Sequence, residues 1–139
     1  PRMNADFRLA EKELTGHVIG TFFAVYNELG YGFLESVYEN ALCIALGEAG
    51  LQVSRQVPFV VEFRGQVVGE YRADLVVANR IILEIKAITA LGNAQEAQLL
   101  NYLKASKLEV GLLLNFGPKA EFKRKVLSAK NPRPSAPSA

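Results

Sequence analysis

Apolar residues recur along the first third of the chain at intervals of three and four. In residues 11 to 29, "EKELTGHVIGTFFAVYNEL", Leu14, Val18, Phe22, Val25, Tyr26 and Leu29 fall on one face of a helix, and Gly30 is placed to end it. The run "LESVYENALCIALGEAG" repeats the pattern through Leu34, Val37, Tyr38, Ala41, Leu42, Ala45 and Leu46, with Gly50 after it, so a second amphipathic helix packs beside the first. From Leu51 the period shortens. "LQVSRQVPFVVEFRGQVVGEYRADLVV" is rich in Val, Phe and Tyr, turns at Arg64, Gly65 and Gln66, and allows a bulge at Gly69, which predicts two or three strands. "RIILEIKAI" reads as another strand, "NAQEAQLLNYLKAS" as a third helix and "KLEVGLLLNF" as a strand returning to the sheet after that helix. "EFKRKVL" is a short edge strand or tail. A strand, a helical crossover and a further strand favour a mixed sheet with at least one parallel pair.

These elements predict an α/β fold in one domain spanning residues 11–127. Residues 1–10 form an N-terminal arm, and residues 128–139, "SAKNPRPSAPSA", form a tail too poor in apolar surface to order itself. A length of 139 residues with 50% hydrophobic and 22% charged residues suits one core. No apolar run approaches a membrane span and no signal pattern opens the chain, so a soluble, cytoplasmic protein with no membrane partner is expected. Cys43 is the single cysteine and His17 the single histidine, which excludes an internal disulfide and a Cys- or His-rich zinc site. Cys43 reads as a small buried hydrophobe and His17 as a helix-surface residue. A net charge of +2 permits contact with nucleic acid without requiring it.

One stretch breaks the apolar pattern. "DLVVANRIILEIKA", residues 74 to 87, has the makings of a buried hairpin, yet carries Asp74, Glu84 and Lys86. Ile81, Leu83, Ile85 and Ala87 share one face of the second strand, and Ile82, Glu84 and Lys86 the other. A three-residue turn at Ala78, Asn79 and Arg80 sets Asp74 opposite Glu84, whereas a two-residue turn separates them; Asn79, suited to a left-handed position, favours the first. Opposed, half-buried carboxylates repel and are poorly solvated, so something positive must compensate. Lys86 is one candidate, as a structural ion pair, and a divalent cation with oxygen ligands is another.

The flanking motifs bear on that choice. "GFLESVY", Gly32 through Tyr38, fits G-x-x-E-x-x-Y, and "YGFLESVYENAL", "ADLVV", "LEIKA", "AQLLNYLK" and "GLLLNFG" follow in an order that resembles the GxxExxY family of small bacterial proteins. That family is placed in the PD-(D/E)XK nuclease superfamily. The resemblance implies a restriction-endonuclease-like core, a mixed central β-sheet flanked by α-helices, around a Mg²⁺-dependent phosphodiesterase site, with Mn²⁺ as a substitute ion. It makes Asp74 and Glu84 the metal-binding acids, helped by the Ile85 carbonyl, and Lys86 the lysine that orients or activates water. Glu35 corresponds to an acid supplied from an N-terminal helix, as an extra ligand or a water-positioning group. Gln98 and Tyr102 match the Q-x-x-x-Y element of the RecB-like branch, Gln98 to fix Lys86 or a phosphate and Tyr102 to support its helix; their i, i+4 spacing sets them on one helix face. Ala73 stands where the superfamily's name has proline.

The implied partner is nucleic acid, DNA before RNA, with a homodimer or protein partner to supply sequence specificity. Arg55, Arg64, Arg72, Lys104 and Lys107 are candidate phosphate contacts. Two competing readings keep the fold without the chemistry: a catalytically silent nucleic-acid-binding module, and a protein-interaction subunit using Phe22, Phe23 or the strand around Phe122.

Overall fold

The computed structural model describes the chain from Ala5 to Leu127, with side chains from Glu11 onward. The first helix, α1 (Ala5–Leu29), begins inside the expected N-terminal arm. Residues 5–10 contain good helix formers and neither Gly nor Pro, so nothing local stops the helix short of them. Val18, Phe22 and Val25 of α1 are buried at helical spacing, and Gly30, at φ 73, closes the helix with its N–H on the Tyr26 carbonyl at 2.8 Å. Helix α2 (Glu35–Glu48) buries Tyr38, Leu42 and Leu46 along one stripe.

Five strands follow: β1 (Val53–Phe63), β2 (Gln66–Val77), β3 (Ile81–Lys86), β4 (Val110–Phe116) and β5 (Ala120–Val126), with α3 (Asn93–Ser106) between β3 and β4. They form one mixed sheet in the order β1-β2-β3-β4-β5, parallel between β3 and β4 and antiparallel elsewhere. The parallel pair is the one that α3 joins, since parallel neighbours need a crossover. Every residue of β4 is buried, as expected of an inner strand covered on both faces.

Helices α1 and α2 cover one sheet face, where Leu75, Val77, Ile81, Leu83, Ile85, Leu112, Leu114 and Phe116 pack beneath Val18, Phe22, Tyr38, Leu42 and Leu46. On the other face Val76, Ile82 and Leu113 meet Leu99 and Leu103 of α3. A side chain buried this fully contributes roughly 1.5–3 kcal/mol, so this core dominates stability. Gly111 of β4 lets α3 come close: a Cβ there would lie 2.7 Å from Leu99 Cδ1. A bulge in the β1–β2 hairpin falls between Val61 and Glu62, opposite the Gly69 region where one was expected. The outer half of that hairpin reaches past the core, leaving Val60, Val61, Phe63, Val67 and Val68 exposed.

Phe22 does not belong to an interaction surface. It is fully buried, edge-on to Phe116 at 4.8 Å, because its position on α1 faces the sheet; Phe23, one residue on, keeps 36% exposure and contacts Phe122. Cys43 is half-buried against the core and His17 exposed on α1. Among the described residues no helix is long and apolar enough to cross a membrane. The tail expected at residues 128–139 lies outside the described residues.

Candidate active site

The β2–β3 turn determines the site. Ala78 and Asn79 both take left-handed backbone angles, at φ 53 and 56, and the Arg80 N–H bonds to the Val77 carbonyl at 2.9 Å. With Ala78, Asn79 and Arg80 in the turn, Val77 pairs with Ile81, Val76 with Ile82 and Leu75 with Leu83. Continued by one step, that register sets Asp74 against Glu84, as the three-residue turn requires. At that step the backbone ladder gives way to side chains. The Asp74 N–H donates to Glu84 Oε2 at 3.0 Å, and the Ile85 N–H donates to Asp74 Oδ2 at 2.7 Å. Each carboxylate is thus held by the other strand's backbone, and the two are fixed close together.

Burial and mutual repulsion work against both charges. Glu84 is 3% exposed, and loss of solvent followed by the nearby Asp74 charge pushes its carboxyl up to about 8. Asp74 is raised too, chiefly by burial, although the Ile85 N–H works in the opposite direction. Lys86 does not pair with either acid. Arg55 pairs with Glu39 and Lys125 with Glu96, whereas the Lys86 ammonium donates to Gln98 Oε1 at 3.4 Å. A structural ion pair therefore does not account for the two acids.

The donors suit a hard divalent cation. The two carboxylates offer oxygen donors of the kind such an ion takes, and burial and mutual repulsion raise both carboxyls while no cation of the protein pairs with either. Asp74 and Glu84 converge as a pair; no group of three or more His, Cys, Asp or Glu among the described residues is gathered closely enough to hold an ion.

The remaining sequence candidates sit around this pair. Glu35 is exposed in the first turn of α2, a favoured position for negative charge, and reaches Asp74 only through its field. Gln98 is exposed on α3 and holds Lys86. Tyr102, one turn on, is half-buried, with its ring 5.3 Å from Tyr71 at a steep angle. Burial and then the charges of Glu84 and Asp74 push its phenol up, so the hydroxyl keeps its proton. Of the proposed phosphate contacts, three are engaged locally: Arg55 bonds to Asn40, Arg72 to the Gln56 carbonyl at 3.1 Å, and Arg64 lies over the Phe63 ring at the hairpin tip. Lys104 is exposed, and Lys107 caps the end of α3 in a left-handed conformation.

Two contributors escaped the sequence reading. Glu39, one turn after Glu35, weighs more on Asp74 than Glu35 does and also bears on Glu84, while its carboxylate takes hydrogen bonds from Gln56 Nε2 at 3.0 and 3.2 Å. Its i+4 spacing from Glu35 was the available signal. Asn115 is fully buried and pairs with Lys86 across the parallel strands. Its Oδ1 accepts the Ile88 N–H at 2.9 Å, its Nδ2 donates to the Ile88 carbonyl and to Glu121 Oε1, and Glu121 also accepts the Leu91 N–H at 2.8 Å. The connection from Lys86 to α3 is thereby fixed. A lone polar residue in the apolar run "GLLLNF" marked Asn115.

Comparison with family models matches residues 12–125 to the PD-(D/E)XK nuclease superfamily. The chain belongs to that superfamily. The superfamily is one of nucleases, whose members generally use divalent metal ions. The solved crystal structure of SSO0001 is similar to this PD-(D/E)XK chain, at 20% identity and a TM-score of 0.53 over 66% of this chain and 48% of that one. At that identity the likeness concerns the fold alone, and the chain spans about half the length of that protein. A comparison with curated proteins finds no match.

Proposed function

We propose that this PD-(D/E)XK domain hydrolyses phosphodiester bonds in nucleic acid, DNA in the first instance, with Mg²⁺ or Mn²⁺. The reading is supported above all by the pairing of Asp74 with Glu84 in a buried place, without a cation in contact, two residues from a lysine tied to Gln98. Asp74, Glu84 and the Ile85 carbonyl would hold the ion, which when bound neutralises charge developing on the phosphate and makes its water more acidic.

The protein's own groups do the rest. Lys86 directs its ammonium at the attacking water or the phosphate oxygen, and Gln98 keeps that long side chain from wandering. Tyr102, still protonated, supports the α3 face beside the acids. Asn115 and Glu121 hold the segment after Lys86 and so preserve its position. The narrower GxxExxY assignment, carried by Gly32, Glu35 and Tyr38, is part of the same proposal, with the exposed Glu35 positioning water. The test is incubation of single-stranded, duplex and branched DNA and of RNA with either ion, using wild type and Lys86→Ala. Metal-dependent cutting that the variant loses supports the reading, and a folded, metal-binding protein that cuts nothing refutes it.

A silent nucleic-acid-binding module is the second reading, favoured by one observation: Glu35 stands away from the acidic pair. Such a module binds DNA with steep salt dependence and leaves it intact.

A further inference from the structure

The connection between α1 and α2 presents two aromatic rings to solvent on the segment that leads into Glu35. Tyr31 is 63% exposed and Phe33 50%, far more than aromatic side chains in a settled core show. The segment carrying them is nonetheless held firmly. Tyr38, fully buried, donates its hydroxyl proton to the Gly30 carbonyl and accepts the Phe33 N–H at 3.1 Å, and the Phe33 ring stands edge-on to Tyr38 at 6.1 Å. Gly30 and Gly32 take the positive φ angles that the tight path needs.

Its location follows from the same contacts. Tyr38 stacks on Phe116 at 4.3 Å, and Phe116 follows Asn115, the partner of Lys86. One residue beyond Tyr38, Glu39 reaches Gln56, which faces Asp74 across β1 and β2, between the pairs Arg55 with Leu75 and Val57 with Ala73. The first turn of α2 and the segment before it therefore overhang the end of the sheet where Asp74, Glu84 and Lys86 lie.

Charge decides what can occupy this wall. The first turn of α2 and the segment before it carry Glu35 and Glu39 and no Lys or Arg, and both acids act on Asp74. Basic groups on this side come from other elements: Arg55 on β1, which pairs with Glu39, Arg72 on β2, whose guanidinium bonds to the Gln56 carbonyl, and Lys86 on β3. A duplex at the acidic pair would bring its second phosphate backbone towards Glu35 and Glu39, of which only Glu39 has a cation, Arg55, in contact, and duplex DNA carries about one charge per 1.7 Å. Neutral base faces meet no such penalty, and aromatic side chains are the usual platform for them.

We propose that Tyr31 and Phe33 stack unpaired bases next to the scissile phosphate, making single-stranded nucleic acid the substrate of the Asp74, Glu84 and Lys86 site. The assignment of substrate rests on the phosphodiesterase reading; the stacking platform itself does not.

The test uses the full chain and a single-stranded oligonucleotide containing pyrrolocytosine, whose fluorescence falls on stacking, first in EDTA and then with Mn²⁺ beside a duplex of the same sequence. Wild type quenches the analogue in EDTA, and with Mn²⁺ it cuts the single strand at least about tenfold faster than the duplex. Tyr31→Ala and Tyr31→Ala/Phe33→Ala weaken single-strand binding about tenfold or more and narrow the cutting preference, whereas Tyr31→Phe retains both. Tyr31→Ala guards against a folding artefact, since Phe33 alone of the two touches Tyr38. Quenching without any cutting leaves the platform standing and removes the phosphodiesterase reading. Equal cutting of duplex and single strand, or alanine variants that bind and quench like wild type, overturns the proposal. Variants that change only concentration-dependent self-association overturn it as well, and assign the rings to a second copy of the chain.

Discussion

Replacing Glu84 with Gln should stabilise the metal-free protein at alkaline pH, by an amount set by the place Glu84 occupies. The carboxyl has an ordinary value of 4.5 and is pushed up to about 8 in the fold by burial and by Asp74. Its folded value lies above its unfolded one, so between those two pH values the native state holds the proton that the unfolded chain has released. Stability of wild type therefore falls as pH rises from about 4.5 to about 8, with no penalty below that window and the full penalty above it. At roughly 1.4 kcal/mol per pH unit the window corresponds to at most about 5 kcal/mol. Water drawn to the charged pair reduces this, and about 2–4 kcal/mol is expected at pH 9. Glutamine preserves the acceptor that takes the Asp74 N–H and adds a donor beside the Asp74 carboxylate. Thermal melting in EDTA should thus show wild type and Glu84→Gln alike near pH 4, with the variant higher by on the order of 10 °C at pH 9. Saturating Mn²⁺ should close most of that gap by stabilising wild type. A wild-type melting temperature that stays level across this range, or a variant no more stable at pH 9, would refute the burial and repulsion argument.

Other substitutions probe separate parts of the account. Lys86→Ala should lower metal-dependent cleavage by about a hundredfold or more while metal affinity, read by calorimetry, changes little; Gln98→Ala, which removes only the 3.4 Å contact holding Lys86, should cost about tenfold or less in the same assay. Tyr38→Phe leaves the Gly30 carbonyl and the Phe33 N–H without their shared partner, and urea denaturation should report a loss of about 1–3 kcal/mol. Gly117→Ala would drive a Cβ into the backbone carbonyl of Ile88, which cannot yield as a side chain can, so the variant should lose more than about 3 kcal/mol or fail to fold by circular dichroism. Ala78→Gly relieves a left-handed alanine in the turn that aligns the acids and should raise stability by about 0.5–1 kcal/mol in the same denaturation.

Much of the architecture was legible in the sequence because the apolar periods are clean. The stripe of Tyr38, Leu42 and Leu46 and the unbroken run of β4 each have one sensible reading, and α3 occupies the residues its pattern marked. The opposition of Asp74 and Glu84 could be reasoned out too, since strand pairing follows from turn length. Less was visible where long-range packing decides. Nothing local distinguishes Phe22, wholly buried, from Phe23, about 100° further round the helix and partly open. That Lys86 would turn to Gln98 rather than to the acids depends on where α3 docks. Glu39 and Asn115 acquire their roles only when α2 and β4 are brought to the end of β3, and a one-dimensional pattern carries no record of that meeting.

The central claim is that the sheet accepts Asp74 and Glu84 because a divalent cation belongs between them, and the direct test is Mn²⁺ binding to wild type and Asp74→Ala at neutral pH by calorimetry. The account predicts saturable binding to wild type that weakens at least about tenfold in the variant, with protons released as Glu84 ionises. Equal Mn²⁺ affinity in a folded Asp74→Ala protein, or no binding to wild type, would contradict it.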